Sequence, residues 1–222
     1  MHPTVIAATG YPLYADAYRL YLKHFYDVTL VTPRPDGNGL SQIGKVISRT
    51  KTAAVILDLT FGVDAPALAA FVRKHDSGIP LLYVDEQPNI FRVLHYLELG
   101  VSGYLFPGDR LDGSLRSFVD RARRGERVLS PAVEGLYANY EMYRGLFNGM
   151  PESLEGILRL MAEGLGIDAI CARTGLKKSI VYRRQFRLRE RFGAVSNGEL
   201  AEMIRAVFGE TNAMGFRLEI TT

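Results

Sequence analysis

The stretch AAVILDLTFGVDAPALAAFVRKH (Ala53–His75) joins a short apolar run, Ala53–Leu57, to a helix-period segment, Asp64–His75. The run is continuously apolar, the pattern of a strand covered on both faces. Asp64 ahead of Pro66 is a helix-start signal. The same pairing repeats outward in both directions. Apolar runs at Thr4–Ala8, Val28–Val31, Pro80–Val84 and Gly103–Phe106 alternate with helix-period stretches at Pro12–His24, Leu40–Thr50, Asn89–Leu99 and Asp112–Arg124. Gly100 follows Leu99, and Gly125 follows the basic end Arg121–Arg124, as helix stops do. Five strands and five helices in strict alternation predict a doubly wound α/β domain with five parallel strands and right-handed crossovers, spanning 1–130. PRPDGNG (Pro33–Gly39) reads as a loop by composition.

From Pro131 the strand signals stop. Residues Pro131–Phe147 read as a helical linker rich in tyrosine (Tyr137, Tyr140, Tyr143), ended by Asn148-Gly149, so the linker spans 131–149. Four short helical stretches follow, Glu152–Glu163, Ile167–Thr174, Lys178–Phe192 and Asn197–Phe208, which predict a small all-α domain over 150–222. Within it, IDAICART, a Gly175-Leu176 turn and KKSIVYRRQFRLRERF have the shape of a helix-turn-helix. Gly175 suits a turn needing positive φ, and Leu176 is expected to pack between the two helices. Gly209–Thr222 holds either a short strand (Phe216–Ile220) or a loose tail.

The 222 residues are 47% hydrophobic and 23% charged, which excludes wholesale disorder. No apolar run is long enough to span a bilayer, and Met1–Gly10 lacks the pattern of a secretory leader, so a cytoplasmic protein is expected. The single cysteine, Cys171, excludes an internal disulfide framework and a cysteine-based zinc site, and reads as a small core residue. His2, His24, His75 and His95 fit no metal-ligand spacing. No Ser/His/Asp arrangement, Walker loop or zinc signature supports an enzyme, and no cofactor is expected. The net charge of +3 is a cancellation. Arg173–Arg191 carries +7 in 19 residues, while the rest of the second half carries −6. Sorted charge of this kind attracts an anionic partner.

The residues MAEGL (Met161–Leu165), Ile170, Thr174-Gly-Leu, Ile180-Val and Phe192-Gly resemble the DNA-binding domain of LuxR/NarL-type response regulators. The chain departs from that pattern at Gly156, where the family carries glutamate, and at Gln185, where it carries valine. Asp58 at the end of the third strand, GVSGYLF (Gly100–Phe106) and GERVLSPAV (Gly125–Val133) resemble the receiver domain that precedes such a module. The resemblance covers roughly residues 4–208. It implies a flavodoxin-like sheet of order 2-1-3-4-5 and a transcription regulator of a two-component system.

A receiver holds Mg²⁺ with an acidic pair and its acceptor aspartate, and contacts the phosphoryl group with a hydroxyl and a lysine. Here the acidic pair aligns with Thr9-Gly10, the hydroxyl with Asp85 and the lysine with Pro107; Asp58 alone remains. The receiver is therefore expected to be degenerate and independent of phosphorylation, with no metal bound. Asp58 and Asp85 are expected to cap backbone amides; the other reading has them rebuild a metal site with Glu86. A regulatory protein, or a small-molecule effector in the Thr9/Asp58/Asp85/Pro107 crevice, would replace the phosphate signal. Phe91, Leu94, Tyr96 and Tyr104 lie near the fourth helix and fifth strand, a face on which receivers often form homodimers, although an aromatic residue there equally suits the core.

The resemblance places the second helix of the helix-turn-helix in the major groove of double-stranded DNA, with contacts around Tyr182, Arg183 and Phe186. The helix period turns Ile180, Val181, Leu188 and Phe192 inward, and Lys178, Ser179, Tyr182, Arg183, Arg184 and Arg187 outward. Arg183 is the expected base reader, since arginine pairs with guanine through two hydrogen bonds. Lys177, Lys178, Arg184, Arg187 and Arg191 are expected on phosphates. Tyr182 and Phe186 suit a thymine methyl, although Phe186 equally suits the core. Two other readings remain open: a protein-interaction adaptor that binds no DNA, and a regulator still phosphorylated on Asp58.

Overall fold

Strand β1 (Thr4–Ala8) is buried along its whole length, as a strand covered on both faces must be. It lies inside a parallel sheet with β2 (Asp27–Val31), β3 (Thr52–Asp58), β4 (Leu81–Val84), β5 (Gly103–Leu105) and β6 (Val128–Leu129), in the order β2-β1-β3-β4-β5-β6. The computed structural model describes residues 2–33 and 39–208 of the chain. Residues 34–38 of the expected loop, the whole of Gly209–Thr222 and the Phe91 side chain lie outside the described residues; Gly39 opens a helix.

The expected order 2-1-3-4-5 is present, and the expectation of five strands needs correction to six. β6 pairs with β5 through Gly103↔Val128 and Tyr104↔Leu129. Two residues are too few to show any periodicity, so the strand was invisible as a pattern. Helices α1 (Pro12–Leu22), α2 (Gly39–Ile47), α3 (Ala65–His75), α4 (Ile90–Glu98) and α5 (Leu115–Arg123) connect the strands. Asp64 caps α3, accepting from the Ala67 amide at 3.3 Å. α5 begins at Leu115, not Asp112, because Ser114 and Leu115 both turn their amides back to the Leu111 carbonyl. On one face of the sheet, Tyr18, Leu22, Leu115, Phe118, Val119 and Ala122 pack against Val5, Ala7, Ala54, Ile56, Leu82 and Val84. Burying six such side chains from α1 and α5 fixes both helices on that face, each large one worth about 1.5–3 kcal/mol.

The structure divides into two compact units, Met1–Glu134 and Gly135–Thr222, inside helix α6 (Pro131–Phe147). The second unit contains α7 (Glu152–Ala162), α8 (Ile167–Thr174), α9 (Lys178–Phe192) and α10 (Asn197–Phe208). Leu154, Ile157, Leu158, Ile170, Val181, Leu188, Phe192, Leu200 and Ile204 form its core. Ile180 and Leu176 are only half-buried, and so is Cys171, which is a free thiol at the edge of the core. Ser196 and Glu199 start α10 together: the Glu199 amide donates to Ser196 Oγ at 3.1 Å, and Glu199 Oε2 accepts from the Val195 amide at 2.8 Å.

Gly175 takes φ 70° and donates its amide to the Cys171 carbonyl at 2.9 Å, closing α8 in the left-handed conformation. A Cβ there meets nothing within 4 Å, so substitution costs only backbone strain. Gly175→Ala is expected to destabilise the helical unit by roughly 1–2 kcal/mol. Urea unfolding followed by helical circular dichroism checks this; an unchanged midpoint would show that the turn relaxes away from positive φ.

Candidate receiver pocket and nucleic-acid interface

The carboxyl ends of β1, β3 and β4 bring Thr9, Asp58 and Asp85 together, each about 1% exposed. Asp58 ends β3, and its Oδ1 accepts from the Thr60 amide at 3.0 Å and from the Thr60 hydroxyl. Thr60 Oγ1 also accepts from the Gly10 amide at 2.8 Å and lies 3.4 Å from Thr9 Oγ1. Thr60, which sequence reading missed, thus stitches the Thr9-Gly10 turn to Asp58. Asp58 Oδ2 is buried without a hydrogen-bond partner.

Asp85 is bound differently. Its Oδ1 accepts from the Gln87 amide at 3.0 Å. Its Oδ2 accepts from Arg92 of α4 at 2.5 Å and from the Tyr104 hydroxyl of β5. Both carboxylates therefore accept from the amide two residues further on, and Asp85 takes a buried cation as well. The Asp58/Asp85/Glu86 arrangement as a metal site is not supported. Asp85 is committed to Arg92 and Tyr104, Glu86 accepts from the Tyr14 hydroxyl at 2.7 Å, and no group of three metal-ligating side chains exists among the described residues. Thr9-Gly10 supplies no carboxylate, so this pocket does not fit the Mg²⁺ of ordinary receivers.

Of the two roles open to Tyr104, dimer face or core, the structure selects the core. It is fully buried, with its ring 5.3 Å from Tyr83, and Tyr83 meets Tyr96 edge-on at 5.0 Å. Tyr96 and Leu94 are half-buried.

In the helical unit, Lys177, Lys178, Ser179, Tyr182, Arg183, Phe186 and Arg187 are exposed on and just before α9, and Arg184 is half-buried. Tyr182 and Phe186 are 54% and 50% exposed, which removes Phe186 from the core; the Arg189 guanidinium lies 5.4 Å from its ring centre. Lys178 Nζ pairs with Asp168 Oδ1 at 2.5 Å, and Arg173 with Glu163 at 2.6 Å. The Asp168 carboxylate holds the Lys178 ammonium above its ordinary pKa. Arg191 needs correction as a phosphate contact. Its guanidinium donates to the Leu146 carbonyl at 2.5 Å and the Asn148 carbonyl at 2.6 Å. A cation at the end of a helix satisfies carbonyls that the helix leaves unpaired, and that occupies Arg191 at the end of α6. Gln185 faces the core with its Oε1 unpartnered, one turn before the equally unpartnered Arg189 Nε.

Burial pushes the Asp58 carboxyl above the usual carboxylate range, against the lowering effect of its Thr60 and Thr9 hydrogen bonds. The folded protein thus binds the Asp58 proton more readily than the unfolded chain. Its contribution to stability falls as pH rises through that window, so the charged form is the costly one at pH 7. Asp58→Asn keeps the Oδ1 acceptor and removes the charge. It is expected to raise Tm at pH 7 and to bring no gain near pH 3, as read by thermal unfolding; a lower Tm at pH 7 would show that the charge stabilises the fold.

No protein-family model matches the chain, and no curated protein matches it. Solved structures do. The two-component response regulator RcsB in complex with DNA is 14% identical with a TM-score of 0.59, over 93% of this chain and 100% of that one. RcsB from Salmonella enterica serovar Typhimurium, bound to a promoter in the presence of the phosphomimetic BeF3-, is 15% identical with a TM-score of 0.54 over the same shares. A LuxR-family response regulator from Aurantimonas sp. SI85-9A1 is 18% identical with a TM-score of 0.51, over 60% of this chain and 94% of that one. At these identities the likeness is one of fold: the chain has the architecture of a LuxR/NarL-type response regulator.

Proposed function

We propose that this chain is a sequence-specific regulator of transcription that binds double-stranded DNA through α9 and works without phosphorylation. The observation that carries the reading is the exposed, cation-rich face of α9, second helix of a helix-turn-helix, on a fold whose solved examples include a DNA complex. Lys177, Arg183 and Arg187 form no ion pair among the described residues, so their charge is available to phosphate and base. Arg183, with Ser179, Tyr182 and Phe186 beside it, reads bases; Lys177, Lys178, Arg184 and Arg187 hold the backbone. Independence from phosphate is supported by Asp85, whose carboxylate and buried partners occupy the place where an incoming phosphoryl group needs a hydroxyl. The receiver unit then serves as a dimerisation or sensing domain, in a cytoplasmic homodimer that is not an enzyme.

Fluorescence anisotropy with duplex DNA across a salt series tests the first part. Four phosphate contacts give a log–log slope of about −3.6 for each bound protomer, and the absence of salt-dependent duplex binding would leave an adaptor as the better reading. Arg183→Ala is expected to cost roughly 1–3 kcal/mol and to relax specificity at one base pair, whereas Lys177→Ala weakens binding to every sequence alike and reduces the salt slope by about 0.9. Equal losses across all operator variants for Arg183→Ala would remove it from base reading. Titration with beryllofluoride is expected to show no Mg²⁺-dependent saturation at Asp58 and no gain in DNA affinity; saturation would return Asp58 to service as an acceptor.

A further inference from the structure

The α/β unit contains a cavity of about 510 Å³ between α1 and the segment after β5. One wall is Tyr14, Tyr18 and Tyr21, spaced by four and three residues and hence on one helix face, with Ala17 between them. The opposite wall is Val84, Pro107 and Leu111, and Arg110 and Asp112 stand exposed beside it. We propose that this cavity binds a planar aromatic molecule that carries no negative charge. The inference rests on the sensing role proposed for this unit and names its ligand class.

Size and lining set the first limit. The volume falls in the range of small-molecule sites, roughly 300–1,000 Å³, and the wall is apolar and aromatic with few polar groups, as such sites are. Three tyrosine rings favour an aromatic guest, which meets them edge-on or offset-stacked. Arg110 and Asp112 offset each other, and the Glu86 and Asp58 carboxylates behind the tyrosine wall disfavour an anion. The wall presents no histidine, cysteine, serine or lysine, which makes it a site for binding and not for turnover.

The polar groups set the second limit. Tyr18 is 3% exposed and its hydroxyl is buried away from the cavity surface, while Tyr14 has given its hydroxyl to Glu86. The tyrosine wall thus offers the guest rings and no free donor. Arg110 adds a mark of constraint, since it is the one non-glycine residue at positive φ (52°) among the described residues. Of the four residues in the expected effector crevice, only Pro107 borders this cavity; Thr9, Asp58 and Asp85 do not.

The test uses the full chain and 2-naphthol as probe, read by isothermal titration calorimetry and by amide shifts of ¹⁵N-labelled protein. Saturable one-to-one binding is expected, with the largest shifts at Ala17, Arg110 and Leu111. Ala17→Trp fills the cavity and is expected to weaken the probe by at least about tenfold, while Leu20→Trp adds the same bulk to the exposed side of α1 and changes affinity less than about twofold. Replacing the probe by 2-naphthoate, which adds a negative charge to the same rings, is expected to weaken binding by at least about tenfold. Non-saturable binding, equal affinity in Ala17→Trp, or shifts centred elsewhere in the wild-type protein would overturn the site. None of these measurements involves DNA, so a failure of DNA binding would count against the regulator and not against the cavity.

Discussion

Burying a carboxylate at the edge of a parallel sheet is tolerable only when donors converge on it, because desolvation of an unpaired charge costs more than any fold can spare. At Asp85 three donors converge from three segments: the Gln87 amide, Arg92 from α4 and Tyr104 from β5. The carboxylate thereby ties the loop after β4 to the first turn of α4 and to the next strand. Removing any partner leaves charge or hydroxyl stranded, so the three positions stand or fall together. Tyr104 is drawn into the core by this bond, and its ring in turn positions Tyr83 and Tyr96. The surface that α4 and β5 present is a consequence of where Asp85 sits.

Asp58 occupies the neighbouring strand end under the opposite conditions. Its donors are a threonine hydroxyl and two-residue-distant amide on its own loop, and one oxygen has none. Among the described residues it forms no ion pair, and burial pushes its pKa up where the ordinary acceptor aspartate depends on a metal to keep it charged. Two carboxylates at the ends of adjacent strands have divided the pocket: Asp85 holds structure together, and Asp58 is a charge that the structure tolerates.

The strand–helix alternation was legible because strands buried on both faces cannot hide their apolar runs, and AAVIL at Ala53–Leu57 announces β3 without ambiguity. β6 was not legible, since Val128–Leu129 is a strand only by virtue of lying beside β5. Asp85 was legible as a departure from the receiver pattern, but its ligands were not. Arg92 lies seven residues on and Tyr104 nineteen, and only the fold makes them neighbours. The same limit explains Arg191. Helix periodicity placed it near the surface and its charge suggested phosphate, whereas the carbonyls that claim it belong to Leu146 and Asn148, more than forty residues earlier. Phe186 shows the converse: two roles fitted its sequence position, and the observed exposure selects one.

The segregated charge of the second unit also resolves into parts. Of the cations between Arg173 and Arg191, Arg173 and Lys178 are paired with Glu163 and Asp168, and Arg191 serves two carbonyls. The acidic residues of the domain therefore do more than balance its total; they neutralise the edge of the basic helix near α8. Exposed pairs of this kind are worth little and exchange readily for a phosphate, so Lys178 stays usable while Arg191 does not. Arg189 lies against the Phe186 ring, and what remains is a narrower set, Lys177, Arg183 and Arg187 with half-buried Arg184, along one side of α9. Between these cations the same face offers Tyr182 and Phe186, whose exposed rings gain nothing from water. A surface that alternates free cations with bare aromatic rings matches a groove whose walls are phosphate and whose floor carries methyl groups and base edges. It matches an acidic protein surface less well, because the rings would then have no apolar floor to cover them.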